Sequence, residues 1–195
     1  MATRLRKLTL LAAAVLAALT LAACGNSHTR VTTGTYAGES EKNAPYLNVG
    51  PLVYEVQLSR ELNPFDQEDG PYLAGLTAAQ KKLEPGQEWF GVFLQVFNNH
   101  TERLPAATQF TVTDTQGNTY TPIMAGAVNP YSYRGGTVPG HGRLPQPDTI
   151  AAAGPTQGAL LLFKIQIVSL DNRPLTFHVV DPTDAAQTAS AELDV

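Results

Sequence analysis

The chain has 195 residues, of which 43% are hydrophobic and 15% charged, with 13 Lys plus Arg against 17 Asp plus Glu. That length and apolar fraction suit one domain with tails and exclude a chain disordered throughout. The acidic balance argues against nucleic acid as a partner, since its binders neutralise phosphates with clustered Lys and Arg.

Arg4, Arg6 and Lys7 precede an apolar run from Leu8 to Leu21, closed by Leu21-Ala22-Ala23-Cys24. A basic front, a short apolar centre and small residues before the break predict an export signal over residues 1–23 rather than a spanning helix. Cys24 is the only cysteine, so no disulfide forms within the chain and its thiol needs another role. The tetrad Leu-Ala-Ala-Cys resembles the lipobox of bacterial lipoproteins. That resemblance implies diacylglyceryl transfer to the Cys24 sulfur, cleavage after Ala23, and a mature chain that begins at an acylated Cys24. The alternative is an ordinary secretory signal with Cys24 as a bystander. Each buried CH₂ contributes about 0.8 kcal/mol, so two acyl chains hold a protein on a membrane stably where one does not. The expected location is therefore the extracytoplasmic face of a cell membrane, with the lipid as anchor. Cleavage removes three basic residues and no acidic ones, leaving 10 against 17 and a net charge of −7. Electrostatic attraction to anionic headgroups does not add to the anchor.

Residues 24–45 are polar, small and without periodicity, which predicts a flexible tether spanning on the order of 25 Å. His28 lies in it as a solvated linker residue. The folded part is expected over residues 46–195. Leu52, Tyr54, Val56 and Leu58 alternate with Val53, Glu55 and Gln57, the period of a half-buried strand. Asn63 to Pro71 breaks that pattern. Asp66, Glu68 and Asp69 stand near Gly70 there, as a solvated acidic loop or, alternatively, a divalent-cation site, although the spacing departs from the twelve-residue calcium loop. Thr77 is placed to cap a short helix reaching Leu83, ended by Pro85-Gly86.

The stretch from Glu88 to Thr121 organises the rest. From Trp89 to Phe97, one parity is Phe90, Val92, Leu94 and Val96, and the other is Trp89, Gly91, Phe93, Gln95 and Phe97. Side chains alternate across a strand, so one face is wholly apolar, the other mostly so, and both are expected to be covered. Burying the first four side chains is worth roughly 6 to 12 kcal/mol before entropy is counted. Phe110 and Val112, then Tyr120 and Pro122, flank a turn carrying Gly117 and Asn118, residue types that tolerate the positive φ of a tight hairpin. Asp114 beside Asn118 is read as a turn former, with a cation site as the alternative.

Ile123 to Gln157 is dense in Pro and Gly, and a connection of that length in a small domain is usually functional or mobile. Tyr131, Tyr133, Arg134, His141 and Arg143 give it a cationic, amphipathic character. Tyr and Arg anchor interfaces, so Tyr131, Tyr133 and Arg134 are the expected partner contacts. The other reading lays the segment as a lid over Trp89, Phe93 and Phe97.

Leu161, Phe163, Ile165 and Ile167 then share a face, as do Leu175, Phe177 and Val179 after Asn172-Arg173-Pro174, and Ala191, Leu193 and Val195 at the end. About seven short strands separated by turn signals predict an all-β, immunoglobulin-like sandwich without the hallmark disulfide. The runs GQEWFGVFLQVFNN, FTVTDTQGNTYTPI, GALLLFKIQI and RPLTFHV resemble the telokin-like domains of actinobacterial lipoproteins. The resemblance covers Tyr46 to Val195 and implies an immunoglobulin-like sandwich outside the cytosol, with no established activity.

Catalytic signatures are missing: there is no G-x-S-x-G, S-x-x-K or H-E-x-x-H. His100, His141 and His178 are not at zinc-ligand spacing, and soft copper ligands are limited to Cys24 and the methionines, so no metal or cofactor is expected. Asn99-His100-Thr101 matches a glycosylation sequon by chance. The sequence favours a non-catalytic binding or structural module of the bacterial cell envelope that engages an envelope protein, glycan or small ligand. The alternative is an exported hydrolase that assembles His141, Asp148 and Ser132 from the loops.

Overall fold

The computed structural model describes residues 46–154 and 156–193. Within them the strands pair antiparallel. One sheet runs β1 (Tyr46–Val49), β2 (Leu52–Leu62), β3 (Gln87–Phe97). The far edge of β3 is shared, since β9 (Ala159–Gln166) pairs with Gln87 to Leu94 and the two-residue β8 (Arg143–Leu144) with Phe97 and Val96. The second sheet has the order β11 (Thr188–Leu193), β10 (Leu175–Val180), β5 (Gln109–Thr113), β6 (Thr119–Tyr120). A small ribbon joins β4 (Leu104–Pro105) to β7 (Thr137–Val138). Seven of these strands have four or more residues, and the other four have two.

The two faces of β3 explain this arrangement. Phe90, Val92, Leu94 and Val96 are fully buried in the main core with residues of both sheets, among them Tyr54, Phe110, Phe163 and Phe177. That shared core makes the pair of sheets a β-sandwich. Trp89 and Phe93, of opposite parity, enter a second and smaller core with Leu62, Tyr72, Leu73, Leu76, Leu160 and Leu162. The Tyr72 ring meets Phe93 edge-on at 5.1 Å and Tyr131 at 4.9 Å, a favoured aromatic geometry.

Local structure departs from the sequence expectation at four places. The β2–β3 register shifts between Val56 and Leu58, and the extra residue reverses the facing of the rest of the strand. Leu58 accordingly packs on the second core rather than beside Val56. Ile167 leaves the face of Leu161, Phe163 and Ile165: β9 ends at Gln166, and Ile167 is 51% exposed before a one-turn helix, Val168–Asp171. Thr77 does cap a helix, with a reciprocal Gln80 bond, but the helix stops at Lys81 because Lys82 is extended. The acidic loop is not uniformly solvated either. Asp69 is buried, ion-paired with Arg60, and accepts the Asn63 N–H at 2.8 Å. Burial raises its pKa, and the Arg60 and Asn63 bonds outweigh that and hold it below the usual carboxylate range.

The β5–β6 hairpin forms as expected, with Gly117 at φ +86°. Asp114 Oδ1 accepts the N–H groups of Gln116 and Asn118, both at 2.9 Å, while Oδ2 accepts from Asn118 Nδ2 and Ser169 Oγ. Every bond of this carboxylate thus goes to the turn and to the helix beside it, as a turn former requires.

Candidate functional site

The long segment is fastened at its start and along its middle. Ile123 donates its N–H to Leu162 O at 2.7 Å, Leu160 donates to Tyr131 O at 2.7 Å, and Tyr133 donates to Leu160 O at 2.9 Å. Residues 131–133 therefore run alongside the start of β9, with Ser132 and Leu160 in parallel register. Asn129, wholly buried, donates from Nδ2 to Tyr72 O at 2.7 Å and accepts the Tyr131 N–H at 2.9 Å. In the middle of the segment, at Val138 and Gly142, Asn98 does the same work. It is 1% exposed, and its Nδ2 donates to Glu102 O at 2.7 Å and Val138 O at 3.2 Å. Its N–H bonds Gly142 O at 2.9 Å, and its Oδ1 accepts the His100 N–H at 2.9 Å. Each of these groups is buried and satisfied, which is the condition for a buried amide to stabilise rather than destabilise.

Two grooves lie side by side where the segment crosses the sandwich. One, of about 500 Å³, is lined by Phe97, Asn99, Pro139, His141 and Arg143. The other, of about 470 Å³, is lined by Ser132, Arg134, Leu144, Pro145 and Ile150. Gln146 and Asp148 line both and form the ridge between them. These are volumes typical of ligand pockets; proline and apolar residues dominate the second, whereas the first sets Phe97, Pro139 and Pro147 among Asn, His and Arg side chains. His141 holds φ +51° in the turn that closes the first groove, and its N–H bonds His100 O at 2.8 Å. Arg134 Nη2 reaches the carbonyls of Ala127 and Asn129.

The expected contact residues divide. Tyr131 is half-buried on the second core, its ring edge-on to Tyr72. Tyr133 is 2% exposed, its ring edge-on to Phe110 at 5.1 Å and its hydroxyl donating to Ala107 O at 2.8 Å. Burial there raises its pKa, with Tyr54 adding to the shift. These two aromatic side chains serve the cores of the sandwich, so Tyr133 has no exposed surface for a partner. Arg134 is exposed on the second groove.

The three residues of the hydrolase reading are not joined. Ser132 Oγ donates to the adjacent Tyr133 O at 3.3 Å, His141 lines one groove and Ser132 the other, and Asp148 stands exposed on the ridge. No hydrogen bond connects any two of them among the described residues, whereas an activated nucleophile needs a base within reach. His178 sits on β10 with Nε2 2.8 Å from Thr113 Oγ1, and burial lowers its pKa. Among the described residues no group of three or more His, Cys, Asp or Glu is placed to hold a metal ion, and no helix is long and apolar enough to cross a membrane. Cys24, Ala23 and the tether lie outside the described residues.

Sequence reasoning passed over Asn98, Gln146 and Ile150. Asn98-Asn99 was legible only as the end of a strand. The residue type of Asn98 signals the turn it makes, with Oδ1 accepting the N–H two residues on, and nothing local signals its burial.

No protein-family model matches the chain, and no curated protein sequence matches it. Solved structures do resemble it. The yjhA protein of Bacillus subtilis is 11% identical, covers 82% of this chain and 100% of its own, and has a TM-score of 0.50. An uncharacterized β-sandwich protein of Clostridium difficile is 7% identical over 87% of this chain and 98% of its own, with a TM-score of 0.44. A candidate lipoprotein of Bacillus subtilis, ycdA, is 9% identical over 83% of this chain, with a TM-score of 0.45, and this chain spans 39% of its length. At such identities the likeness to yjhA is one of fold, and function has to be argued from the site.

Proposed function

We propose that this protein is an exported, lipid-anchored, non-catalytic binding module of the bacterial cell envelope, which takes its ligand in the paired grooves. Acylation at Cys24 after cleavage behind Ala23 supplies the anchor, on the strength of the Leu-Ala-Ala-Cys tetrad after a basic and apolar leader. The sandwich is read as immunoglobulin-like and of the telokin-like type, on its seven longer strands and the four runs that carry that resemblance. The ligand is an envelope protein, a glycan or a small molecule, and nucleic acid is disfavoured by charge.

One observation carries this reading. A segment of 35 residues rich in Pro and Gly is fastened by buried amides and main-chain bonds so that it shapes two adjoining grooves with a common ridge, Gln146 and Asp148. Preformed concave surfaces of this kind bind without a large ordering cost. The test is photo-crosslinking in intact cells that produce the full chain. A photoreactive residue at Gln146 is expected to trap a discrete adduct, and the same residue at Gln116, exposed on the β5–β6 hairpin, is expected to trap none. Absence of an adduct at Gln146, or the same products from both positions, contradicts the proposal.

A further inference from the structure

The register of β8 turns one residue outward. Asn98 N–H bonds Gly142 O at 2.9 Å, and the next residues pair as Phe97 with Arg143 and Val96 with Leu144. Bonded and non-bonded pairs alternate along an antiparallel ladder. Phe97–Arg143 is therefore the non-bonded pair, and the N–H and C=O of Arg143 point away from β3. Neither group has a hydrogen-bond partner among the described residues, nor does the guanidinium, and Arg143 lines the 500 Å³ groove. A donor, an acceptor and a cation are thus presented together by a single residue at the edge of a sheet.

We propose that this edge binds an extended peptide with one acidic side chain, its main chain pairing with the N–H and C=O of Arg143 and its carboxylate seated on the guanidinium. The proposal rests on the groove reading and names its ligand class. Strand addition draws affinity from main-chain bonds and selectivity from side-chain pockets. The planar fork of Arg matches a carboxylate with two parallel bonds. Pro139 and Pro147 flank the position and have no N–H to compete for the peptide carbonyl. Elsewhere the chain is net acidic and repels such a ligand, which favours this one place. Asp148 lines the same groove, so successive carboxylates meet repulsion, and a single acidic residue between neutral ones is the expected pattern.

The test uses the isotopically labelled full chain in detergent micelles and two capped pentapeptides, Val-Thr-Glu-Val-Thr and its Gln counterpart, followed by amide chemical shifts. The Glu peptide is expected to shift the amides of Arg143 and Leu144 and to bind at least about tenfold more tightly than the Gln peptide. Arg143→Gln is expected to abolish that preference with the rest of the spectrum retained, and Arg143→Lys to keep part of it. A Glu peptide methylated on its backbone nitrogens is expected to lose binding. Equal binding of the Glu and Gln peptides to the unaltered chain overturns the proposal, whatever the variants do. If neutral oligosaccharides shift Gln146 and Ile150 but no peptide shifts Arg143, the acidic-peptide assignment is wrong and the grooves remain the binding surface. Absence of any shift with either class overturns both.

Discussion

Tyr54 and Tyr133 close on the same residue from two sides: the Ala107 N–H donates to Tyr54 Oη at 2.7 Å, and Tyr133 Oη donates to Ala107 O at 2.8 Å. All three are 2% exposed or less. The first sheet, the approach to β5 and the long segment are thereby tied at one point inside the main core. Replacing either tyrosine with Phe leaves a buried peptide group unpaired, at a cost of about 1–3 kcal/mol. A double-mutant cycle is expected to show the two losses coupled, since both bonds fix one residue. Urea unfolding of the two single variants and the double variant measures this, and strictly additive losses contradict it.

The same pair sets an alkaline limit. Burial, opposed by the Ala107 bond and reinforced by Asp181, pushes Tyr54 from 10.0 up to about 12, and burial raises Tyr133 as well. The folded chain keeps these protons where the unfolded chain releases them. Their contribution is therefore full below pH 10 and falls as pH rises through about 12. Unfolding midpoints are expected to drop across that window in the parent, and to drop less in Tyr54→Phe.

Asp114 contributes on the acid side, as do Asp69 and Asp181, where burial raises the pKa and hydrogen bonds outweigh it. Burial raises the Asp114 pKa too, yet the bonds from Asn118, Ser169 and Gln116 outweigh that and hold it at about 2 against an ordinary 3.8. It stays ionised in the fold where it would protonate in the unfolded chain, so its contribution is full above pH 3.8 and is lost as pH falls through about 2. Asp114→Asn is expected to flatten the stability profile between those values and to cost about 1–3 kcal/mol at neutral pH. An unchanged acid limb in the variant contradicts this role.

Gly50 and Gly117 both have positive φ, +56° and +86°, but their surroundings differ. A Cβ on Gly50 would stand 1.7 Å from Asp181 Oδ2, whereas one on Gly117 meets nothing within 4 Å. The Asp181 carboxylate cannot simply turn away, because Oδ1 accepts the N–H of Thr183 at 2.6 Å and of Asp184 at 2.9 Å. Gly117→Ala is expected to cost about 1–2 kcal/mol, the strain of the left-handed region alone. Gly50→Ala is expected to cost several times that, by prising the β1–β2 turn from the turn after β10. Equal losses in parallel denaturation curves contradict the comparison.

Much of the sandwich was legible because β3 is apolar on both parities, which forces a cover on each face. Phe110 with Val112 and Leu175 with Phe177 announced their strands by simple alternation, and both pairs lie in the main core. The failures have physical causes. Leu58 was misplaced because a β-bulge is a backbone event with no fixed residue signature, and Ile167 because an apolar residue can end a strand as well as extend it. At the site, Tyr and Arg types pointed to the segment that lines both grooves, yet composition cannot say which tyrosine turns inward. Tyr133 turned in because Ala107 offers its hydroxyl a buried acceptor. The grooves themselves depend on Asn98 reaching Val138 across 40 positions of sequence, a contact that no local pattern encodes.

The proposed non-catalytic role makes a plain chemical prediction at Ser132. Its hydroxyl donates to a carbonyl and is hydrogen-bonded to no base among the described residues. An active-site-directed serine probe is expected to leave the purified full chain unlabelled, and Ser132→Ala to change nothing in that assay. Labelling of the parent that disappears in Ser132→Ala would restore the hydrolase reading.

The central claim is that the sandwich presents its grooves outside the cytosol while held to a membrane by lipid. Metabolic labelling with a palmitate analogue in the native host tests it most directly. The account predicts label on the parent chain in the membrane fraction, and loss of both label and membrane association in Cys24→Ala. A parent chain that carries no label, or a Cys24→Ala chain that still does, contradicts it.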